Sequence, residues 1–204
     1  RTLPRPMTPA VARERRLRRV LCGAGLQEAC TFTFLEREAA APFAAPGTDL
    51  VAIANPLSEK FAVLRPSLLP GLVDSCSHNR RRGRKDVRLF ETGSRFSPRG
   101  EGHAVAMAWS GAASAAHWSA AAAAVDFFDV KGALETAVDW MGLNPLTFIQ
   151  DGAANLRTGQ SARIKLSDGT EIGTIGRLAE SVATTYKFRY PVYVMELDLE
   201  SLLN

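Results

Sequence analysis

The strand pattern from which the fold is predicted centres on the stretch Asp86-Val87-Arg88-Leu89-Phe90-Glu91-Thr92. Val87, Leu89 and Glu91 occupy alternate positions, and alternation with a period of two is typical of a β-strand. Residues 95–97 are predicted to return as the second arm of a hairpin, and residues 104–110 form a further strand.

More strands are predicted on both sides of this stretch, over residues 29–35, 50–54, 61–65, 161–166, 172–178 and 192–199. The pair Asp168-Gly169 is a hairpin-turn signal between two of these runs. Residues 111–124 are nearly all Ala, Ser and Gly, which predicts a low-complexity connector without regular structure.

Helices are predicted from Thr8 to Ala24, from Leu69 to Gly83, over residues 130–141 and briefly around Ser181. The first begins where Thr8 suits the N-cap and Pro9 suits the first helical position. Because about eight strands are joined mostly by short turns, the pattern predicts an α+β fold with a mostly antiparallel sheet flanked by helices. A βαβ alternation is excluded.

Length and composition bound the class of protein. The 204 residues are 46% hydrophobic, which allows one domain with a sizeable core and excludes a disordered chain. No apolar run approaches the ~20 residues of a membrane span, and three cysteines without paired spacing favour a reducing cytoplasm. Because the sequence starts at Arg1 without a Met, a fragment of a longer protein is expected.

Charge is distributed unevenly along the chain. The net charge is +4, but residues 1–100 hold 18 Lys and Arg against 9 Asp and Glu. A basic half of this kind indicates contact with polyanions or with acidic protein surfaces.

Two basic segments are candidate contact sites. One is the end of the second predicted helix, with Arg80, Arg81, Arg82, Arg84 and Lys85. The other is the first helix, where Arg15 and Arg18 are the residues expected to meet a partner. Cations at a helix C-terminus also stabilise its dipole, so a solvated helix end and an RNA or partner contact both remain open for the run. For the arginines of the first helix, a solvated basic face likewise remains the alternative to a contact.

Acidic and aromatic candidates have simpler explanations. Asp126 and Asp129 near a helix start favour capping over Mg²⁺ binding or catalysis, because no third acid is visible nearby. Glu91 is either a buried, paired carboxylate at a partner contact or a solvent-facing strand residue. Trp118 is expected to anchor its loop. The sequence predicts no catalytic set, no metal site and no glycine-rich phosphate loop.

Six ordered segments resemble the β subunit of bacterial phenylalanyl-tRNA synthetase over nearly the whole chain. They are Asn55-Pro56-Leu57-Ser58, Leu64-Arg65-Pro66-Ser67-Leu68-Leu69-Pro70-Gly71-Leu72, Arg88-Leu89-Phe90-Glu91-Thr92-Gly93, Asp126-Phe127-Phe128-Asp129-Val130-Lys131-Gly132, Gly159-Gln160-Ser161-Ala162 and Pro191-Val192-Tyr193-Val194-Met195-Glu196-Leu197-Asp198. The resemblance implies a class II synthetase-like catalytic-core fold, here as a single core-like domain over residues 1–204 of a longer subunit.

The resemblance also implies that this copy of the core is inactive. The family's active site uses an arginine after its motif 2 strand and a glycine-rich motif 3. This chain has Ser97 and Pro98 at the first place and Met195-Glu196-Leu197-Asp198 at the second. The loop Asn155-Leu156-Arg157-Thr158 departs from the His-Pro pair common in the family.

The implied partners are an α subunit with the intact site, tRNA(Phe), and a second αβ pair in a heterotetramer. ATP and Mg²⁺ are implied for the holoenzyme and none is expected on this chain. The first helix is expected at the subunit interface. The alternatives are a stand-alone RNA-binding module that uses the arginine-rich helix ends, and an active class II adenylating ligase.

Overall fold

A computed structural model describes residues 7–114, 117–119 and 123–203. Its strands are β1 (Gln27–Glu28), β2 (Phe34–Leu35), β3 (Val63–Leu64), β4 (Val87–Ser97), β5 (Gly100–Ser110), β6 (Thr147–Gln150), β7 (Leu156–Lys165), β8 (Glu171–Leu178) and β9 (Val192–Asp198). Seven of these described strands form one sheet in the order β1-β4-β5-β9-β8-β7-β6, in which only β1 and β4 pair in parallel. The predicted α+β fold with a mostly antiparallel sheet is confirmed.

The helices are α1 (Pro9–Gly23), α2 (Arg37–Ala40), α3 (Leu69–Arg81), α4 (Phe127–Met141), α5 (Glu180–Thr185) and α6 (Leu199–Leu203), with single 3₁₀ turns at Ala41–Phe43 and Glu59–Phe61. Pro9 lies at the start of α1 as predicted, although the Thr8 side chain makes no capping bond. Within the described part of the chain, no helix is both long and apolar enough to cross a membrane.

Both faces of the sheet are covered. Successive residues of β4 point to opposite sides, so Leu89 joins the core under α3 and Phe90 joins the core under α1, α4 and α6. We call these the α3 face and the α1–α4 face. Each face buries apolar side chains of several strands, and this burial is the main favourable contribution to folding.

Some predicted strands differ from the structure. Residues 95–97 do not form a returning arm, because β4 continues through Ser97 and turns only at Pro98 and Arg99 before Ser97 pairs with Gly100. The run 29–35 is interrupted, because Thr31 gives its backbone groups to the side chains of Glu91 and Arg65 rather than to a neighbouring strand.

The separate β2–β3 ladder is shorter than the predicted runs. Residues 50–54 add one bridge, from Ala52 to Val63, instead of a strand. The Asp168-Gly169 turn is confirmed between β7 and β8. The short elements β6 and α6 carried no clear sequence signal. The connector predicted over residues 111–124 lies partly outside the described residues, and its ends meet at the bridge between Ala112 and Ala124.

Candidate functional site

The arginines of α1 divide into two groups. Leu17 and Leu21 turn into the core, and three arginines contact the domain itself. Arg13 donates to the carbonyl of Leu203, Arg16 donates to the carbonyl of Trp140 at 2.6 Å, and Arg18 pairs with Glu14 at 3.0 Å and Glu28 at 3.1 Å. Arg18, one of the two residues predicted to meet a partner, therefore links α1 to the edge of the sheet.

The side of α1 that faces away from Leu17 and Leu21 is exposed. Four residues are exposed on this side, namely Val11, Arg15, Arg19 and Cys22. Arg15, Arg19 and Cys22 follow Val11 by four, eight and eleven residues, and this spacing places all four on one stripe of the helix. We call this the outer stripe of α1. Within the described residues, Arg15 and Arg19 form no side-chain hydrogen bond or ion pair.

Helix α4 packs beside α1 and adds an exposed aromatic ring. Because Arg16 binds the carbonyl of Trp140, the C-terminal end of α4 lies beside α1, and the Trp140 side chain is 66% exposed there. Aromatic and arginine side chains are enriched in protein interfaces. This combination of exposed apolar and cationic groups suits contact with another protein surface.

The basic run ends α3 as predicted. Arg80 lies over the ring of Tyr190, 5.1 Å from its centroid, and also donates to the carbonyl of Lys85. Arg81, Arg82, Arg84 and Lys85 are exposed. Three carbonyls in the last turn of α3 accept from backbone N–H groups of residues 82–84, and they belong to His78, Asn79 and Arg80.

A buried ion pair joins β4 to the segment before α3. Arg65 Nη1 donates to Glu91 Oε1 at 2.7 Å, with side-chain exposures of 6% and 3%. Thr31 donates to the same carboxylate from Oγ1 at 2.8 Å, and Arg65 Nε donates to the carbonyl of Ser94 at 2.7 Å. Glu91 is thus a buried, paired carboxylate whose partner lies in its own chain, and the solvent-facing alternative is wrong.

Close packing surrounds this pair. A Cβ added at Gly93 would come within 2.6 Å of Arg65 Nη2, so the guanidinium lies directly against the β4 backbone. The role of Arg65 was not predicted. Its place before Pro66 keeps the backbone extended, and that was the only local signal of a constrained position.

A second charged group lies further along the α3 face. Arg95 Nη1 lies 3.5 Å from Glu196 Oε2, and Arg95 Nη2 lies 3.2 Å from Asp198 Oδ2. Glu196 and Asp198 are two residues apart and point to the same face of β9. Glu196 also accepts from the backbone N–H of Leu68 at 2.7 Å and from Ser67 Oγ at 3.1 Å. Burial raises the pKa of the Glu196 carboxyl, and the charge of Arg95 partly offsets this.

The comparison with family models decides the assignment. The model described as "Phenylalanyl tRNA synthetase beta chain CLM domain" matches residues 1–199. The chain belongs to this CLM domain family.

Relatives of this CLM domain are β subunits of phenylalanine–tRNA ligase. The chain is 37% identical over 191 residues to that of Pseudomonas fluorescens, covering 91% of this chain and 24% of the relative. It is 36% identical over 204 residues to the β subunit of Bacillus subtilis, and the match covers 97% of this chain and 25% of that relative. The CLM domain therefore spans about a quarter of the length of the curated relatives that it matches.

Solved structures with the same fold are class II synthetases. A pyrrolysyl-tRNA synthetase from Desulfitobacterium hafniense superposes with a TM-score of 0.74 at 16% identity, over 96% of this chain and 68% of that one. At this identity the likeness shows the fold alone, and it confirms the class II catalytic-core architecture predicted from the sequence.

The remaining predicted candidates of the CLM domain have structural roles or none. Asp126 and Asp129 form a capping box at the start of α4, as predicted. Trp118 is 92% exposed, so the expectation that it anchors its loop is wrong. Across the described ranges, no group of three or more His, Cys, Asp or Glu side chains is arranged to hold a metal ion.

Proposed function

We propose that this chain is a non-catalytic core-like domain of a phenylalanine–tRNA ligase β subunit. The holoenzyme would join phenylalanine to tRNA(Phe) in the cytoplasm, with ATP and Mg²⁺ bound by an α subunit and not by this domain. The proposal is supported by the family match and by the names of the relatives. The single observation that carries the non-catalytic role is the self-paired group Arg95, Glu196 and Asp198.

The electrostatics of this group are unsuited to adenylate formation. A class II site needs planar cations that offset the charge developing on the α-phosphate of ATP. Within this group the one cation, Arg95, is bound by two carboxylates, so the three side chains carry a net negative charge when ionised. A triphosphate placed beside them would meet repulsion from Glu196 and Asp198.

The chain alone should therefore not activate phenylalanine. Phenylalanine-dependent exchange of pyrophosphate into ATP is expected to equal the blank for the purified chain, and to be restored when α subunit and full-length β subunit are present. Exchange above the blank from the purified chain, at a rate proportional to its concentration, would show that it holds an active site.

The second part of the proposal is that α1 and α4 face the α subunit. Its support is the outer stripe of α1 with Trp140 beside it, which leaves apolar and cationic groups exposed on adjacent helices. Of the two α1 residues predicted to meet a partner, Arg15 lies on this stripe, and Arg18 borders it while holding Glu14 and Glu28. The αβ pair would associate with a second pair as a heterotetramer.

An RNA-binding role is the alternative, and one observation favours it. Arg81, Arg82, Arg84 and Lys85 are exposed at and beyond the end of α3, where backbone N–H groups already bind three of the last helix carbonyls. Co-expression with the α subunit separates the two functions: retention of the chain by a tagged α subunit supports the interface, and RNA binding by a chain that the α subunit does not retain supports the alternative.

A further inference from the structure

The basic run borders a pocket that neither the family match nor the subunit interface explains. This pocket has a volume of about 360 Å³ and lies between the end of α3, the segment before β9 and the two ends of the connector. Its lining includes Arg80, Lys85, Tyr190, Gly111 and Ala124.

Tyr190 is an exposed ring held in place on the rim. Its side chain is 63% exposed, while the guanidinium of Arg80 lies 5.1 Å from the ring centroid. Arg80 is itself fixed by its hydrogen bond to the carbonyl of Lys85. The next residue is also tied down, because the carbonyl of Pro191 accepts from Ser110 Oγ at 3.2 Å. The ring is therefore ordered and accessible, as a stacking surface requires.

Two cations, Arg80 and Lys85, line the pocket together with this ring. Arg82, Arg84 and Arg189 are exposed and lie close to these residues in the sequence. Among the described residues that line the pocket, the one acid is Asp86, which already accepts from the backbone N–H of Ala112 at 2.8 Å. A ligand here would meet the cations of Arg80 and Lys85 and a carboxylate that is already hydrogen-bonded.

The two ends of the connector form part of the wall of this pocket. Gly111 and Ala124 lie on the pocket wall, and the bridge between Ala112 and Ala124 closes the base of the connector. An exposed aromatic ring beside cationic side chains is the combination that binds unpaired nucleic acid, with a base on the ring and phosphates on the cations.

We propose that the surface formed by Arg80, Arg82, Arg84, Lys85 and Tyr190 binds unpaired nucleotides of RNA. Tyr190 stacks on a base and the arginines contact the flanking phosphates. Stacking needs a base face that is open, and a base inside a helix has both faces covered, so single-stranded segments are preferred over duplex. The inference rests on the proposed function, in which tRNA is the polyanionic partner. It specifies that this surface binds single-stranded segments of the RNA.

The experiment uses the holoenzyme of full-length β and α subunits. A labelled oligouridylate of about eight nucleotides and a duplex of equal length are the probes, with affinity measured by fluorescence anisotropy. A 4-thiouridine version of the oligonucleotide is cross-linked by light and the modified peptide is identified by mass spectrometry, which separates this surface from RNA sites elsewhere in the subunits.

The expected cross-link lies in the peptides that hold Tyr190 or the run from Arg80 to Lys85. Tyr190→Ala should remove that cross-link and weaken oligonucleotide binding at this surface about tenfold, while Tyr190→Phe keeps both. Arg84→Glu should reduce the salt dependence of binding, by about 0.7 in logarithmic slope for each phosphate that the variant no longer neutralises. Phe32→Ala, another exposed aromatic, and Arg99→Glu, another exposed arginine, are the matched controls.

Three results would overturn the inference. The first is that cross-links are confined to other peptides. The second is that Tyr190→Ala weakens the binding of oligonucleotide and of duplex equally. The third is that Tyr190→Ala abolishes α-subunit binding while RNA binding stays intact. Association with the α subunit is followed on the same samples. If the chain fails to join the α subunit while the cross-link appears at Tyr190, the proposed function fails and the RNA surface stands.

Discussion

Replacing Arg65 with methionine should lower the free energy of unfolding by about 3–5 kcal/mol. The substitution removes a cation that is 6% exposed and leaves the carboxylate of Glu91, 3% exposed, without its charge partner. The remaining donors to Glu91 come from Thr31, and they do not neutralise the charge. Urea denaturation of the purified chain measures the change through its midpoint and slope.

The matched control is the double variant Arg65→Met with Glu91→Leu. Because it removes both charges, it should be more stable than Arg65→Met alone. If Arg65→Met lowers the free energy of unfolding by less than about 1 kcal/mol, the account of a buried ion pair is contradicted, because an exposed ion pair contributes no more than this.

Reversing the charge of Arg15 and Arg19 together should weaken α-subunit binding at least about tenfold. Truncating a central interface residue commonly costs about 2 kcal/mol or more, and charge reversal adds repulsion. The melting temperature of the chain should stay nearly constant, because both side chains lie on the exposed outer stripe of α1. The affinity is measured by titrating labelled α subunit against each variant.

Arg99→Glu with Arg157→Glu is the control for this double reversal, because both arginines are exposed and lie on other elements. Arg18 is unsuitable for the test. A glutamate at that position would face Glu14 and Glu28 and would destabilise the domain itself. Unchanged affinity in Arg15→Glu with Arg19→Glu would show that the outer stripe does not meet the α subunit.

Local patterns in the sequence predicted most of the large elements. Alternation identified the start of β4, and spacing with Pro9 identified α1. The end of β4 was missed because Gly93 and Arg95 interrupt the apolar alternation, and their environment is set by Arg65 and Glu196 from distant segments. The fold class followed from local signals, whereas strand lengths depended on contacts between segments.

The candidate surfaces were predicted less completely, for the same reason. Spacing along α1 indicates that Arg15 and Arg18 lie near each other on the helix, but it contains no information about Glu28 or Thr92, which hold Arg18. The basic run was visible in the sequence, while Tyr190 was not, since it lies 110 positions further along the chain than Arg80 and meets it only in the folded domain.

The central claim, that this domain docks on an α subunit through the outer stripe of α1, is tested most directly by alkylation of Cys22. Cys22 lies on the stripe, Cys30 is exposed elsewhere, and Cys76 is buried with the pKa of its thiol raised to about 12. Iodoacetamide should therefore modify Cys22 and Cys30 in the free chain and leave Cys76 unreacted. With saturating α subunit, modification of Cys22 should fall sharply while that of Cys30 continues, as read by mass spectrometry of each peptide. Equal modification of Cys22 with and without bound α subunit would contradict the claim.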